Sequence, residues 1–358
     1  MLTVLSVAYA FAGVGAGAVG GAEQVLFQLD AALVRAGHRS LVVAQEGSEV
    51  AGELVATPGH EGAITEQAQR VPWARHRAAI RDALERHPVD LVHLHGIDFP
   101  EYLPPPGVPV LATLHLPPSW YPAEVFRTAR RDTWLHCVSE AQQRACPPSA
   151  ALLPHIANGV PVDRLAARHA RRSFAVALGR VCPEKGFHHA LEAARGAGVP
   201  LLIGGKVFPY EEHERYFARE VRPRLDRSRR FLGPLDFARK RRCLNAAHCL
   251  LVPSRAPETS SLVAMKGLAC GTPVIAFRSG ALPEIVEHGR TGFLVDDVRE
   301  MADAIPAVDT LDREECRAAA RERFSLQAMT DRYLELYTRV SAGTVGGRGA
   351  EGARADAA

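Results

Sequence analysis

The sequence has little lysine and no large excess of charge of either sign. Only four of its 43 basic residues are lysine, and 40 acidic residues leave a formal net charge of +3. A nucleic-acid-binding domain carries a marked basic surplus, so this balance argues against that class. No apolar run reaches the ~20 residues that a membrane-spanning helix needs. The apolar start, Leu2–Ala8, follows no basic segment and predicts a buried strand rather than a secretory signal.

The sequence also lacks paired cysteines. Its seven cysteines are odd in number and include no C-x-x-C pair, the spacing that zinc sites and redox motifs use. Cys137, Cys249 and Cys270 stand in apolar runs, which favours small buried thiols kept reduced in a cytoplasm. We therefore expect no metal site and no bound cofactor.

Short apolar runs alternate with longer amphipathic stretches along a chain whose 358 residues suit two domains. The runs are apolar at odd and even positions alike, which is typical of parallel strands covered on both faces. Helical patterns such as Ala22–Arg35, Arg75–Arg86 and Leu262–Ala269 lie between them. This alternation predicts two doubly wound α/β domains of the Rossmann type. The predicted strands are Leu2–Ala8, Leu41–Ala44, Leu91–Leu94, Val108–Leu114, Trp134–Val138, Phe174–Leu178, Pro200–Ile203, Cys249–Val252, Val274–Phe277 and Gly292–Val295.

A segment punctuated by Pro and Asn-Gly, residues 152–163, separates two such series and predicts the domain junction. Ligands of doubly wound sheets bind at the carboxyl ends of the strands. We therefore expect a site built from loops of both domains, in a cleft between them.

Two features of the first half follow predicted strand ends. A glycine-rich segment ends at Gly20 and Gly21, where a helix begins, and this arrangement suits a bound anion. A flexible loop is the alternative, and the acidic residue of a dinucleotide-binding motif is missing. His115 is expected to point into the cleft, unless it only satisfies local backbone groups. His93 and His95 are interpreted as polar lining of the cleft, because no third metal ligand follows at a suitable spacing.

Arg180 and Lys185 stand five residues apart in a short loop that opens a helix near Gly186. Their charges add to the positive end of the helix dipole and predict a pocket for a diphosphate that needs no metal. Two solvated charges are the alternative interpretation.

A dense cluster of polar residues follows the predicted strand Cys249–Val252. Glu258 is placed to accept hydrogen bonds from hydroxyl groups, with helix capping as the alternative. A helix is predicted to start near Ser261, so the N–H groups from Ser260 to Val263 would face an anion or sugar hydroxyls.

Taken in order, these motifs resemble a family 4 glycosyltransferase of the GT-B fold. The resemblance extends to about residue 338, and it implies two Rossmann-like domains that face each other across a cleft. It also implies a retaining enzyme whose leaving diphosphate accepts the proton of the attacking hydroxyl. The segments that carry it are Gly20-Gly-Ala-Glu, His115, Ile156-Ala-Asn-Gly-Val, Gly179-Arg with Glu184-Lys-Gly, Phe231-Leu-Gly-Pro, Glu258 with Cys270-Gly-Thr-Pro-Val-Ile-Ala, and Ser279-Gly-Ala-Leu-Pro-Glu.

The resemblance implies roles for individual residues. The donor is a nucleotide-diphosphate sugar, and the acceptor is an unidentified hydroxyl in the synthesis of a glycan, a glycolipid or a glycosylated metabolite. The expected catalytic residues are His115 beside the transferred sugar, Glu258 on its hydroxyls, and Arg180 and Lys185 on the diphosphate. The expected donor-binding residues are Gly20, Gly21, Arg180, Lys185, Leu232 (through its backbone, to the nucleobase), Glu258, Ser260, Ser261, Leu262, Val263 and Lys266.

The resemblance also sets the domain boundaries. Residues 1–155 would form the acceptor domain and residues 156–318 the nucleotide-sugar domain. A last helix, 319–340, would return to the first domain. Residues 341–358 are rich in Gly, Ala and Arg without apolar periodicity, and we expect them to be disordered.

The sequence departs from the family at Lys266, where the family has a second glutamate that binds the ribose of the donor. Lysine only donates hydrogen bonds. Losing a hydrogen bond to a charged group costs on the order of 1.5–3 kcal/mol, or about tenfold to more than a hundredfold in donor affinity. A weakened enzyme, a silent nucleotide-sugar-binding relative, and a lysine that contacts a phosphate instead all remain open. A sugar-nucleotide epimerase would need further acid and base residues, which the sequence does not identify.

Residues 210–242 contain eleven basic and six acidic residues. A solvated helical face is the simpler interpretation, and a patch for anionic lipid or a polyanionic acceptor is the alternative. We expect a cytoplasmic protein, with peripheral membrane contact and the oligomeric state left open.

Overall fold

The computed structural model describes residues 1–18, 20–60, 62, 65–128, 130–167 and 169–345. The chain divides into two compact units. The first holds Met1–Ala157 together with the chain from Met329 onward, and the second holds Asn158–Ala328. Most of the predicted disordered tail, residues 346–358, lies outside the described residues.

The first unit contains a fully parallel sheet of seven strands in the order β3-β2-β1-β4-β5-β6-β7. The strands are β1 (Thr3–Val7), β2 (Arg39–Gln45), β3 (Glu53–Thr57), β4 (Leu91–Leu94), β5 (Val110–Leu114), β6 (Thr133–Cys137) and β7 (Leu152–Leu153). The helices within the N-terminal segment are α1 (Gly21–Arg35), α2 (Glu66–Arg86) and α3 (Glu140–Ala145).

Neighbouring residues of one strand pack into separate cores of the first unit. In β2, Leu41 and Val43 belong to the main core, whereas Val42 and Ala44 pack beneath α1 with Leu26. All four strand residues are fully buried. The prediction that these strands are covered on both faces is therefore confirmed.

The second unit repeats the architecture with a parallel sheet of six strands in the order β10-β9-β8-β11-β12-β13. The strands are β8 (Ala175–Arg180), β9 (Leu201–Lys206), β10 (Arg229–Phe231), β11 (Cys249–Val252), β12 (Val274–Phe277) and β13 (Gly292–Val295). The helices are α4 (Val162–Leu165), α5 (Phe187–Gly196), α6 (Glu211–Tyr216, continued by the π-helical turn Phe217–Val221), α7 (Phe237–Ala246), α8 (Leu262–Ala269), α9 (Leu282–Ile285), α10 (Val298–Ala307) and α11 (Arg313–Arg323).

The central strand β11 shows why this sheet needs helices on both faces. Leu250 and Val252 pack into one core together with residues of α8, while Cys249 and Leu251 pack into the other with residues of α5 and α10. Together with the first unit, this confirms the prediction of two doubly wound α/β domains.

The predicted single helix over residues 319–340 is wrong in its bounds. Helix α11 ends at Arg323, and a last helix, α12, spans Leu326–Ser341. Between them the Phe324 carbonyl accepts from the Val160 N–H at 2.9 Å, and the Leu326 N–H donates to the Val160 carbonyl at 3.0 Å. This bridge to the domain junction interrupts the helix. Beyond it, α12 buries Tyr333 and Tyr337 in the first unit.

Residues 52–73 include strand β3 and the start of α2. Strand β3 lies at the edge of the sheet and exposes Glu53, so its apolar signal is weak. None of the helices in the described part of the chain combines the length and the apolar character that a bilayer crossing requires.

Candidate active site

The predicted diphosphate loop and the Glu258 loop meet at one point of the second sheet. Strands β8 and β11 are hydrogen-bonded neighbours although two other strands separate them along the chain. The order of the strands reverses here, and the loops beyond such a point separate to leave room for a ligand. Lys185 follows β8, and Glu258 follows β11.

Lys185 and Glu258 form a direct ion pair. The Lys185 Nζ atom lies 2.5 Å from Glu258 Oε1, and the Ser254 hydroxyl donates to the same carboxylate oxygen. The Glu258 side chain is only 8% exposed, against 28% for Lys185. A buried carboxylate needs such donors, because an unpaired charge away from water is costly. The structure therefore brings together Lys185 and Glu258, two of the residues expected at the donor site.

Two glycines with positive φ allow these loops to pack so closely. Gly186 has φ +61°, and a Cβ atom there would lie 2.3 Å from the Pro253 carbonyl oxygen. Gly280 has φ +55°, and a Cβ atom there would lie 2.2 Å from the Glu258 carbonyl oxygen. That carbonyl also accepts from the Ala281 N–H at 2.7 Å. Backbone contacts therefore hold Glu258 in place from the β12 side.

Helix α8 begins beside Glu258, and Ser261 is its N-cap. The Ser261 hydroxyl accepts from the Ala264 N–H at 3.4 Å, so the alternative that Glu258 caps this helix is wrong. Leu262 and Val263 supply the first-turn N–H groups, which have no acceptors within the helix. The Ser260 Oγ atom is buried and lacks a hydrogen-bond partner within the described structure. The arrangement can therefore offer several hydrogen bonds to a ligand.

Lys266 lies one turn further along α8 and is partly buried. Burial, together with the positive charge of Lys240 on α7, lowers its pKa to about 8. Both the burial of the Lys266 ammonium group and the nearby Lys240 therefore disfavour its charged form. A carboxylate at this position would instead face a cation.

Arg180 and Leu232 flank the same region. Arg180 ends β8 and pairs in register with Lys206 of β9. The Leu232 N–H donates to the Ile203 carbonyl at 2.8 Å. The backbone of Leu232 was predicted to contact the nucleobase, and its N–H group already donates within the sheet.

Three potential metal ligands converge next to Arg180. One ligand atom each of Cys182, Glu184 and His213 lie within 4.8 Å of one another. A thiol, a carboxylate and an imidazole are ligand types that Zn²⁺ accepts. Burial lowers the pKa of His213, and the positive charge of Arg180 lowers it further. The spacing along the sequence did not reveal this group, because His213 comes from a separate helix.

In the first unit, Gly20 precedes α1 and Gly21 is its first residue, as predicted. A carboxylate of this chain lies at the same place: a Cβ atom on Gly20 would lie 1.8 Å from Glu23 Oε2. Glu23 is 7% exposed. An acidic side chain near a helix N-terminus interacts favourably with the helix dipole, so a phosphate here would compete with Glu23.

His115 directly follows β5, and its ring contacts another histidine. Its Nε2 atom lies 3.0 Å from Nδ1 of His95, and Nε2 of His95 lies 3.1 Å from Nδ1 of His93. Burial lowers the pKa of His115 to about 3. The predicted polar lining role of His93 and His95 is wrong, because these residues are only 0% and 2% exposed.

The backbone around His115 is held from both sides. Gln142 donates from Nε2 to the carbonyls of Leu114 and Leu116 at 2.7 and 2.8 Å. The Tyr121 hydroxyl accepts from the N–H groups of His115 and Leu116 at 3.0 and 3.3 Å. Sequence patterns indicated neither residue. Gln142 reaches these carbonyls across 28 and 26 residues of sequence, and Tyr121, six residues after His115, lies outside every predicted strand and helix.

The comparisons with known proteins agree with this architecture. Residues 19–166 match the sequence family described as Glycosyltransferase Family 4, and residues 172–308 match the family described as Glycosyl transferases group 1. The D-inositol 3-phosphate glycosyltransferase of Corynebacterium efficiens is 34% identical over 168 residues, 44% of this chain and 39% of that protein. The match thus spans about two fifths of that relative's length.

Solved structures resemble nearly the whole chain. Sucrose-phosphate synthase from Thermosynechococcus elongatus has a TM-score of 0.78 at 19% identity and covers 95% of this chain and 100% of that chain. Anabaena HepE in complex with UDP and glucose has a TM-score of 0.71 at 19% identity, with 94% and 100% covered. The fold is therefore that of the GT-B glycosyltransferases. The chain therefore carries a Glycosyltransferase Family 4 domain in its first half and a group 1 glycosyltransferase domain in its second half.

Proposed function

We propose that the protein is a retaining glycosyltransferase that moves a sugar from a nucleotide-diphosphate sugar to an acceptor hydroxyl without a metal ion. The observation that carries the proposal is the Lys185–Glu258 pair at the switch point of the second sheet. A sugar diphosphate presents anionic oxygens next to hydroxyl groups. Lys185 suits the former and Glu258 the latter, with their charged atoms 2.5 Å apart.

In the proposed reaction, the bond between the anomeric carbon and the diphosphate oxygen breaks, and the acceptor oxygen bonds to the same face of the sugar. The leaving diphosphate takes the acceptor's proton. Arg180, Lys185 and the N–H groups of Leu262 and Val263 stabilise the charge that develops on that diphosphate. Charges and dipoles fixed in advance are usually the largest contribution to such a barrier reduction.

The buried Ser260 hydroxyl supports a ligand at this place, because it has no partner among the described residues. HepE, of the same fold, is also known in complex with UDP-glucose, which supports UDP-sugars as the first donors to test. The free cysteines support a cytoplasmic location.

A thermal-shift panel of UDP-, GDP- and ADP-sugars tests the proposal. A ligand at a hundred times its Kd stabilises the folded state by about 2.7 kcal/mol, so one nucleotide class should raise the Tm clearly. Turnover with that donor, and NMR of the product's anomeric configuration, then test transfer and retention. Absence of stabilisation by all three classes would contradict the proposal.

Lys266 favours a second candidate, a relative that binds a nucleotide sugar without transferring it. The partly buried ammonium replaces the expected carboxylate and carries a depressed pKa of about 8. Stabilisation by a nucleotide sugar, with neither hydrolysis nor transfer across many acceptors, would support this candidate over the enzyme.

A further inference from the structure

Polar side chains in the first unit form a continuous hydrogen-bonded chain that ends at His115. It begins at His136, whose Nδ1 lies 3.0 Å from the Cys137 carbonyl oxygen. The Thr113 hydroxyl then lies 2.7 Å from His136 Nε2 and 2.7 Å from His93 Nε2. Every side chain of this first part is fully buried. In such a chain the position of each proton is constrained by its neighbours.

The Cys137 carbonyl fixes the direction of the first part. A carbonyl oxygen only accepts, so His136 Nδ1 carries a proton. Burial lowers the pKa of His136 to about 4, so at neutral pH its Nε2 is unprotonated. The Thr113 hydroxyl must therefore donate its single proton to His136. As a result, Thr113 accepts from His93 Nε2.

The same logic continues from His93 to His115. Burial lowers the pKa of His93 and of His95 well below the usual range, so both are neutral. With Nε2 protonated, His93 Nδ1 is an acceptor, and it lies 2.7 Å from the Tyr337 hydroxyl of α12 and 3.1 Å from His95 Nε2. The single lone pair of His93 Nδ1 is shared by two donors, the Tyr337 hydroxyl and His95 Nε2. An unprotonated His95 Nε2 would place two lone pairs 3.1 Å apart, so His95 carries its proton on Nε2. Its Nδ1 then accepts from His115 Nε2 at 3.0 Å.

We infer that this chain fixes His115 as the Nε2–H tautomer, so that its Nδ1 atom accepts a hydrogen bond and cannot donate one. Thr113, His93 and His95 act as positioning residues. The last helix, α12, contributes through the Tyr337 hydroxyl, which donates to His93 Nδ1.

The fixed tautomer defines the chemical class of ligand at His115. A partner at Nδ1 must donate a hydrogen bond, so a sugar hydroxyl is suitable, whereas a phosphate dianion or a carboxylate is not. The assignment of a sugar hydroxyl rests on the proposed function. The tautomer itself does not, since it follows from contacts within the first unit alone.

The direct test is NMR of the full chain with ¹⁵N-labelled histidine at pH 7, with His115→Gln used to identify the His115 signals. We expect a neutral ring with the proton on Nε2 and an unprotonated Nδ1. A proton on Nδ1, or a charged ring, would overturn the inference. This measurement requires no ligand and no activity.

A pair of variants tests the origin of the tautomer. Thr113→Val removes the hydroxyl that sets the direction, so the His115 signals should lose the single Nε2–H pattern, whereas Thr113→Ser should retain it. Thr57→Val is the control, because Thr57 is another buried threonine of the same sheet whose hydroxyl donates only to the Ala44 carbonyl at 3.2 Å in the described structure. An unchanged His115 tautomer in folded Thr113→Val would show that Thr113 does not set the direction. If Thr113→Val does not fold, the wild-type spectrum still decides the assignment.

The ligand class is tested with analogues of the donor that stabilises the protein, each with one hydroxyl replaced by fluorine, which cannot donate. One analogue should bind about tenfold more weakly to the wild type, and His115→Phe should remove that difference. If every analogue binds like its parent, the hydroxyl assignment is wrong. If no nucleotide sugar binds while the tautomer is as inferred, the proposed function fails and the tautomer stands.

Discussion

The two units share one architecture but place opposite kinds of chemistry at the ends of their strands. In the second unit, Lys185 follows β8 and Glu258 follows β11, and the Lys185 Nζ atom lies 2.5 Å from Glu258 Oε1. At the ends of β4 and β5 in the first unit lie His93, His95 and His115. Burial lowers the pKa values of these histidines far enough to keep them neutral at pH 7. The same fold therefore carries a charged pair in one unit and a series of neutral, hydrogen-bonded side chains in the other.

The difference indicates how each site would lose its function. A charged site depends on the sign and the pairing of a few side chains, so single substitutions there should have large effects. The hydrogen bonds from His136 to His115 require neutral histidine rings, so protonation of these rings in acid should break them.

The largest effect is expected for Lys185→Met. Removing a group that stabilises the leaving diphosphate typically costs about 10²–10³ in rate, and it also leaves Glu258 buried without its cation. We expect turnover with the active nucleotide sugar to fall by that factor. Lys206→Met serves as the control, because Lys206 is exposed and its ammonium lies over the Phe208 ring rather than on Glu258. Equal losses in both variants would argue against a specific role for Lys185.

The next effect is a gain in donor affinity for Lys266→Glu. A carboxylate there would face Lys240 and would regain hydrogen bonds worth on the order of 1.5–3 kcal/mol, so affinity should rise about tenfold or more. Titration calorimetry with the best donor measures this affinity. Lys266→Gln removes the positive charge without adding a carboxylate, so it separates the effect of the lost charge from that of the regained carboxylate. Unchanged affinity and turnover in Lys266→Glu would remove the concern that this position weakens the protein.

Much of the fold was predictable, because the buried parallel strands are apolar on both faces. The strands β11, β12 and β13 and helix α8 have the predicted bounds. Three strands were missed for physical reasons: β7 has two residues, and β3 and β10 are edge strands with polar, partly exposed residues. Short or half-exposed strands give little apolar pattern to recognise.

The site was predictable where neighbours in the fold follow strand ends, as with Lys185 and Glu258. It was not predictable where contacts join distant positions. Tyr337 meets His93 across 244 residues of sequence, and Gln142 meets the backbone before His115 across 28. Thr113 and His136 pair in register on the neighbouring strands β5 and β6. Their polar side chains within largely apolar strands are the one sequence signal that could have indicated this buried contact.

A smaller effect is expected from acid on the first unit. His136 has a pKa of about 4 when folded and 6.5 as its ordinary value. Between these values the unfolded chain binds a proton that the folded protein does not, so the free energy of unfolding falls as the pH falls. Each such histidine contributes about 1.4 kcal/mol per pH unit.

Urea denaturation at pH 7, 6 and 5 measures this slope. Tryptophan fluorescence reports the first unit, since Trp73, Trp120 and Trp134 all lie there. Folded His136→Gln should flatten the slope by about 1.4 kcal/mol per pH unit, and His169→Gln, at an exposed histidine of the second unit, should leave it unchanged. A slope that does not respond to His136→Gln would mean that this ring is already charged in the folded state.

The smallest effect, no change at all, is expected from chelation. If fixed cations stabilise the leaving diphosphate, extensive EDTA treatment should leave turnover unaltered, although Cys182, Glu184 and His213 converge within 4.8 Å. A divalent ion at that cluster would lie beside Arg180, whose positive charge already contributes to lowering the pKa of His213, and the repulsion disfavours it. Loss of turnover on chelation, restored by Zn²⁺ in the wild type but not in Cys182→Ser, would show instead that the charged site of the second unit relies on a metal ion.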